Sequence, residues 1–288
     1  MRGRRCRPRV CRALETSGFL VTTSHRYRAR VPAVAWAIAK RNLLATVRMP
    51  SILAPTLIFP VFLLVSFTSG FTALTRLEGF PTTNFVSWYL PFVALQGASF
   101  GGAGSGFSAA RDITNGFFDR LLLTPAHRIG ILLGGLLVGW CRATTTAFIV
   151  LICGFGLGAR MTVNSPLDAI LGVGFVVVGA CSVASMASLW SLGVAYRAKS
   201  ERAAPLFFIV VFMALFLSTA QVPLSLMNSR WLRAIARRNP ITSLLRFCRQ
   251  GFVEGITWRN TWPGLLATGL VLAVLFLWAW TALARYEK

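Results

Sequence analysis

Residues 79–110 read GFPTTNFVSWYLPFVALQGASFGGAGSGFSAA, 32 consecutive positions without Asp, Glu, Lys, Arg or His. A helix needs about 20 mostly apolar residues to cross a hydrocarbon core of ~30 Å, and this run exceeds that length. Outward from it, Met49 to Thr75, Ala169 to Tyr196, Ala203 to Ser229 and Asn260 to Ala284 are equally free of charge, and Ile129 to Ala159 is interrupted only by Arg142. These windows predict an all-α integral membrane protein with six transmembrane helices, near 51–71, 86–110, 130–157, 168–195, 205–224 and 262–284. The chain of 288 residues is 55% hydrophobic and 13% charged, too apolar for an ordinary soluble domain.

Thirty Lys+Arg stand against eight Asp+Glu, a net charge of +22. In a soluble chain that excess would suggest nucleic acid. Here 12 of the cations precede residue 50 and the others lie between apolar runs, so the anionic partner is expected to be membrane lipid and not nucleic acid. An even number of spans puts both termini on one side. Placing them in the cytoplasm leaves 20 of the 30 cations inside, as the positive-inside rule requires. The stretch 230–259 resists that rule: it carries seven arginines and a single acid, Glu254, yet falls outside.

Residues 1–31 have scattered arginines and no uninterrupted apolar core, which predicts a basic cytoplasmic tail and no signal peptide. From Ala33 to Arg48, Trp36, Leu43, Leu44 and Val47 fall near one helical face while Lys40, Arg41 and Arg48 lie elsewhere, the layout of an N-terminal interfacial helix. Small residues crowd the second span (Gly97, Gly101, Gly102, Gly104, Gly106) and the fourth (Gly172 to Ser188), a pattern that lets helix backbones approach closely in lipid.

Catalytic and metal chemistry have little to build on. His25 and His127 lack a second ligand nearby, and Cys141, Cys153 and Cys181 lie inside apolar runs, so no metal site is expected. GGAGSG has no strand-turn-helix setting, and no GKS or GKT occurs, so the chain is expected to bind no cofactor and to hydrolyse no ATP. Ser165-Pro166-Leu167-Asp168 reads as a helix start, with Ser165 as N-cap. Arg142 is the only ionisable residue well inside a span. Such a charge is a functional candidate, but snorkelling or pairing within the bundle is the expectation.

The loop between the second and third spans reads RDITNGFFDRLLLTPAHR, residues 111–128. Phe117, Phe118, Leu121 and Leu122 sit on one side of a short helix that must end at Thr124-Pro125, because a residue before proline is steered out of the helical region. This loop resembles the cytoplasmic coupling region of permeases of the type-2 ATP-binding-cassette (ABC) exporter family, which includes daunorubicin-resistance permeases and polysaccharide exporters. A second match follows the fifth span: Leu217-Ser218, Pro223, Trp231-Leu232, Asn239-Pro240-Ile241-Thr242 and Arg246 resemble that family's outer motif, with Thr219-Ala220 where the family usually has glycine.

The resemblance covers about residues 33–288. It implies one permease domain over 32–288, with a pair of short outer re-entrant or interfacial helices between spans five and six. It further implies dimerisation with a second copy or a sister permease, and a separate ATPase subunit that holds the ATP and Mg. Arg111, Asp112, Gly116, Phe117, Phe118, Asp119, Arg120, Leu121, Thr124 and Pro125 would couple to that subunit, with the 33–48 helix beside them. The cargo would be an amphipathic drug or antibiotic, a lipid or a glycoconjugate, crossing a bacterial plasma (inner) membrane. The small-residue face of the second span and Phe207, Phe208, Phe212 and Phe216 of the fifth are candidates to line its path. Two other classes stand beside this one: a lipid-processing membrane enzyme, which needs clustered acids or His at one interface, and an ion-coupled carrier, which needs acids within spans.

Overall fold

A computed structural model describes residues 30–48, 50–124, 126–163 and 165–286, the side chains of 50–55 excepted. The predicted tail lies outside the described residues up to residue 29, as does Pro125. Ten α-helices are described: α1 (Val31–Val47), α2 (Pro50–Phe71), α3 (Phe85–Thr114), α4 (Phe117–Leu122), α5 (Arg128–Gly156), α6 (Pro166–Ala198), α7 (Ala204–Phe216), α8 (Arg230–Arg238), α9 (Pro240–Arg249) and α10 (Trp258–Arg285). Three short 3-10 turns join them, and no strand occurs among the described residues.

Among the described residues, four segments are long and apolar enough to cross a membrane: Thr56–Arg76, Arg128–Gly156, Pro166–Ala198 and Trp258–Arg285. The chain is thus an all-helical, multi-pass membrane protein. Helix α3 is also long enough, with 30 residues, but it is built largely of Gly, Ala and Ser. Its position explains that composition. Most of its length is buried between α2, α5, α6 and α7, so it presents little surface that must be apolar.

The helix starts follow local chemistry. The Asn84 side chain accepts from the Val86 and Ser87 amides at the start of α3, and Ser165 Oγ accepts from the Leu167 amide at the start of α6, where Pro166 needs no donor. Helix α7 departs from expectation. It stops at Phe216, whereas the spacing predicted a helix to 224. Thirteen residues span about 20 Å, less than the hydrocarbon core.

The bundle is closed by short-range contact around α3. A Cβ placed on Gly102 would lie 2.3 Å from the Ala184 carbonyl oxygen, and one on Gly106 would lie 2.4 Å from the Ser191 Cβ. Serine hydroxyls bridge the same seam: Ser188 donates to the Gly102 carbonyl (3.1 Å), Ser105 to the Gly135 carbonyl (2.9 Å), and Ser191 accepts from the Gly106 amide (3.2 Å). The small-residue face of α3 is therefore filled by α5 and α6. It is not available to line a substrate path, contrary to the expectation above. Nor is the Phe row of α7 free. Phe207 is fully buried, Phe208 rests on Phe100 at 5.7 Å, and Phe216 meets Phe92 edge-on at 5.4 Å.

Helix α1 runs alongside the first half of α5. Gly130 lies under Val34, Gly134 under Ile38, and Arg142 donates to the Thr46 hydroxyl, a constant offset of 96 residues that makes the two helices near-parallel. Val34, Ala35 and Ala39 are buried; of the expected apolar face, Trp36, Leu44 and Val47 are exposed and Leu43 is half-buried.

Gly102 and Gly174 offer a direct comparison, since nothing lies within 4 Å of a Cβ on Gly174. Gly102→Val should lower the thermal midpoint of the detergent-purified chain or abolish its monodisperse peak, as expected of ~3 kcal/mol or more of overpacking. Gly174→Val should leave both unchanged. Equal behaviour of the two variants would contradict this packing.

Candidate functional site

Two regions collect the residues singled out by sequence, one at each end of α3. At the C-terminal end, Asn115 closes the helix and Gly116 turns the chain at φ +69°, a left-handed backbone that glycine adopts without strain. Helix α4 follows. Phe118 is buried against Tyr196 of α6 (5.3 Å) and Tyr286 after α10 (5.0 Å), while the Tyr286 hydroxyl donates to Asp119 Oδ1 at 3.2 Å. Leu121 and Leu122 are half-buried on the same body. The expected apolar face is thus largely right, except that Phe117 points out, 40% exposed, with the Arg41 guanidinium 4.1 Å from its ring centre. Leu123, not expected to matter, is 88% exposed.

Arg41 also pairs with Asp112, tying α1 to the end of α3. Burial pushes the Asp112 carboxyl above its ordinary range, and the hydrogen bond and charge of Arg41 pull it back. Burial likewise raises the Tyr286 hydroxyl, as does its bond to Asp119. Asp119, Arg120 and Thr124 are exposed, with the Thr124 hydroxyl closing the turn onto the Leu121 carbonyl (2.6 Å). The arrangement is a small helix bolted to the ends of α3, α6 and α10, with an apolar and charged outer surface.

At the opposite end, the motif residues meet where α7 stops. Asn239 Oδ1 accepts from the Ile241 amide (2.9 Å) as N-cap of α9, ahead of Pro240, while its Nδ2 donates to the carbonyls of Ala214 (2.6 Å) and Leu217 (3.1 Å). One side chain therefore serves the end of one helix and the start of another. Ser218 is buried, its hydroxyl turned onto the Leu215 carbonyl. Pro223 is buried too and precedes a 3-10 turn. Trp231 is 64% exposed on α8, and Arg246 is exposed on α9. The last two are not drawn into the hydrogen-bonded joint.

Sequence reasoning missed Arg249. It is 4% exposed and donates to the carbonyls of Trp88 (3.1 Å) and Ala220 (2.9 Å) and toward the Thr219 hydroxyl (3.5 Å), with its guanidinium 3.4 Å from the centre of the Trp88 ring. The helix break at Leu217 thus needs no glycine: Thr219-Ala220 is held open by Arg249. The available signal was an arginine in FCRQGF, residues 247–252, which has no other charge. Arg142 sits between α1 and α3, against Gly101 and Gly104, and donates to the Thr46 hydroxyl.

Among the described residues no group of three or more His, Cys, Asp or Glu is placed to hold a metal ion. The model of the ABC-2 type transporter family matches residues 33–253. The chain belongs to that family. A relative in Streptomyces coeruleorubidus, the daunorubicin resistance ABC transporter permease protein DrrB1, is 28% identical over 253 residues, which is 85% of this chain and 82% of the relative. This ABC-2 type transporter chain is accordingly a transmembrane permease subunit of an ABC exporter, a role that implies an ATPase partner.

The joint around Asn239 yields a separable expectation. Asn239→Ala should lower unfolding stability by about 2 kcal/mol, through loss of the cap and two buried carbonyls left unmatched. Asn239→Asp keeps the cap but loses both amide donors, and should fall between. Thermal unfolding of the two variants in one detergent checks the order, and an Asp variant as stable as the parent would contradict the role of Nδ2.

Proposed function

We propose that this permease is driven through α4 and exports an amphipathic drug-like compound, with six spans and both termini in the cytoplasm. The observation that carries the reading is the anchoring of α4: Phe118 is wedged between Tyr196 and Tyr286, so displacement of α4 moves the ends of α3, α6 and α10 together. Elements packed in this way shift as near-rigid bodies between discrete arrangements. The exposed set of Phe117, Asp119, Arg120 and Leu123, with Arg111 and Asp112 behind it, forms the surface offered to the ATPase subunit.

In this reading α2, α3, α5, α6, α7 and α10 are the spans, and α7 is completed by the irregular segment behind it. Helix α8 supports an outer interfacial placement, since Trp231 and Ile235 are exposed beside the basic Arg230, Arg237 and Arg238. Helix α1 supports a cytoplasmic-leaflet position, with Trp36, Leu44 and Val47 turned outward. A second permease, identical or related, would cover the exposed apolar rows of α2 and α7, where Ile58, Phe62 and Val65 and then Leu206, Ile209 and Met213 are unpaired in the single chain. The drug cargo rests on the name of the Streptomyces relative, and the bacterial plasma membrane on the same likeness.

Leu123 gives the cleanest test, because it is exposed and its replacement leaves the core intact. Leu123→Glu should weaken co-purification of the ATPase subunit roughly 30-fold, as for an interface anchor worth ~2 kcal/mol, and abolish drug efflux at unchanged membrane levels. Normal efflux from that variant would remove α4 as the docking element.

A further inference from the structure

A cavity of about 220 Å³ lies between α1, α3 and α5, lined by Arg41, Asn42, Thr46, Ser108, Arg111, Asp112 and Arg142 among others. Three arginines and one carboxylate therefore line it. The carboxylate is engaged by Arg41. Arg142, by contrast, has its guanidinium hydrogen-bonded to the Thr46 hydroxyl alone, and its buried Nε has no partner. A cation inside an apolar bundle is normally paired or hydrogen-bonded at each donor, so this half-buried side chain, with its Nε unmatched, is held in readiness for an acceptor that the chain itself does not supply.

The shape narrows the acceptor. The Arg142 guanidinium lies at the level of Gly104, where a Cβ would be 2.4 Å from it, and Arg111 and Asp112 stand about 12 Å farther along α3 at 1.5 Å per residue. The basic lining thus runs as a strip along the helix. Next to the lining residues Ala45 and Thr46, α1 carries Leu44 and Val47, both exposed, and Phe107 adds an aromatic wall. A charged strip beside an apolar edge matches a molecule with an anionic head and a hydrocarbon body. Guanidinium groups bind phosphate oxygens in a fork geometry, with charge-assisted hydrogen bonds stronger than neutral ones.

We propose that the α1–α3–α5 cavity is a binding site for a phosphate group, in the first instance the headgroup of an anionic phospholipid, held by Arg142, Arg111 and Arg41. The cavity shares Arg111 and Asp112 with the surface offered to the ATPase subunit, whereas Arg142 and Ser108 lie outside that surface and test the cavity by itself. Bound lipid would brace α1 against α3, as the Arg41–Asp112 pair does beside it.

The test uses the full chain purified in neutral detergent, with phosphatidylglycerol and inorganic phosphate as separate probes, read by native mass spectrometry and thermal shift. Phosphatidylglycerol should bind saturably, and Arg142→Gln and Ser108→Asp should each weaken it at least about ten-fold, the effect of losing one charge-assisted contact. Arg76→Gln, on an exposed turn outside the cavity, should not. Ser108→Asp guards against a folding failure of the arginine variant, because a carboxylate among three arginines should raise the thermal midpoint while evicting the anion. Inorganic phosphate that binds, is lost in the same variants and displaces the lipid would assign the site to a free oxyanion. Unchanged phosphatidylglycerol and phosphate binding in Ser108→Asp would overturn the proposal.

Discussion

The approach of Gly102 to the Ala184 carbonyl governs how the other helices can be placed. Lipid tails are as apolar as leucine, so helices in a bilayer gain little by hiding hydrocarbon from one another. They associate through van der Waals contact and hydrogen bonds that operate only at short range. Gly102 and Gly106 allow α3 to reach α6, and Ser188, Ser105 and Ser191 place hydroxyls across the seam. Once α3 is enclosed, the lipid-facing duty falls to helices such as α10, with its exposed row of Leu266, Leu270, Val274 and Leu277.

A second constraint appears where α7 ends. Backbone carbonyls in an apolar setting must find donors, and irregular chain at that depth is tolerated only where protein satisfies it. Asn239 and Arg249 do this together, from the two ends of α9, for carbonyls at Ala214, Leu217 and Ala220. Arg249 also holds the Trp88 carbonyl, so the first turn of α3 is fixed to the same joint. At the other end of α3, Gly116 and Phe118 lock α4 to Tyr196 and Tyr286. The central helix is consequently tied at both termini.

How much of this was legible depended on whether the deciding partner was local. Charge-free windows located the long helices, because the bilayer constraint acts on composition within one segment. Ser165-Pro166 and Asn239-Pro240 announced helix starts, because a cap acts over a few residues. A short helix was legible within residues 111–128, and the inward turn of Phe118 agreed with its pattern. The early stop of α7 was hidden, since its reason is an amide and a guanidinium lying 22 and 32 residues farther along, at Asn239 and Arg249. The path-lining role expected of the α3 glycines failed for a related reason. Spacing shows that a face permits close approach, but not whether the neighbour is a substrate or another helix of the same chain. The run of α1 along α5 was equally beyond local reading, because Gly130 and Gly134 acquire meaning only beside Val34 and Ile38.

The central claim is that α4 is the part of this permease that meets its ATPase. The most direct measurement is photo-crosslinking in native membranes, with a benzophenone amino acid in place of Leu123 and, in a parallel strain, of Trp231, followed by mass-spectrometric identification of the adducts. The account predicts that Leu123 captures a soluble subunit carrying a GxxxxGK[ST] phosphate-binding loop while Trp231 captures only lipid. Capture of that subunit at Trp231 and not at Leu123 would contradict both the docking surface and the orientation of the chain in the membrane.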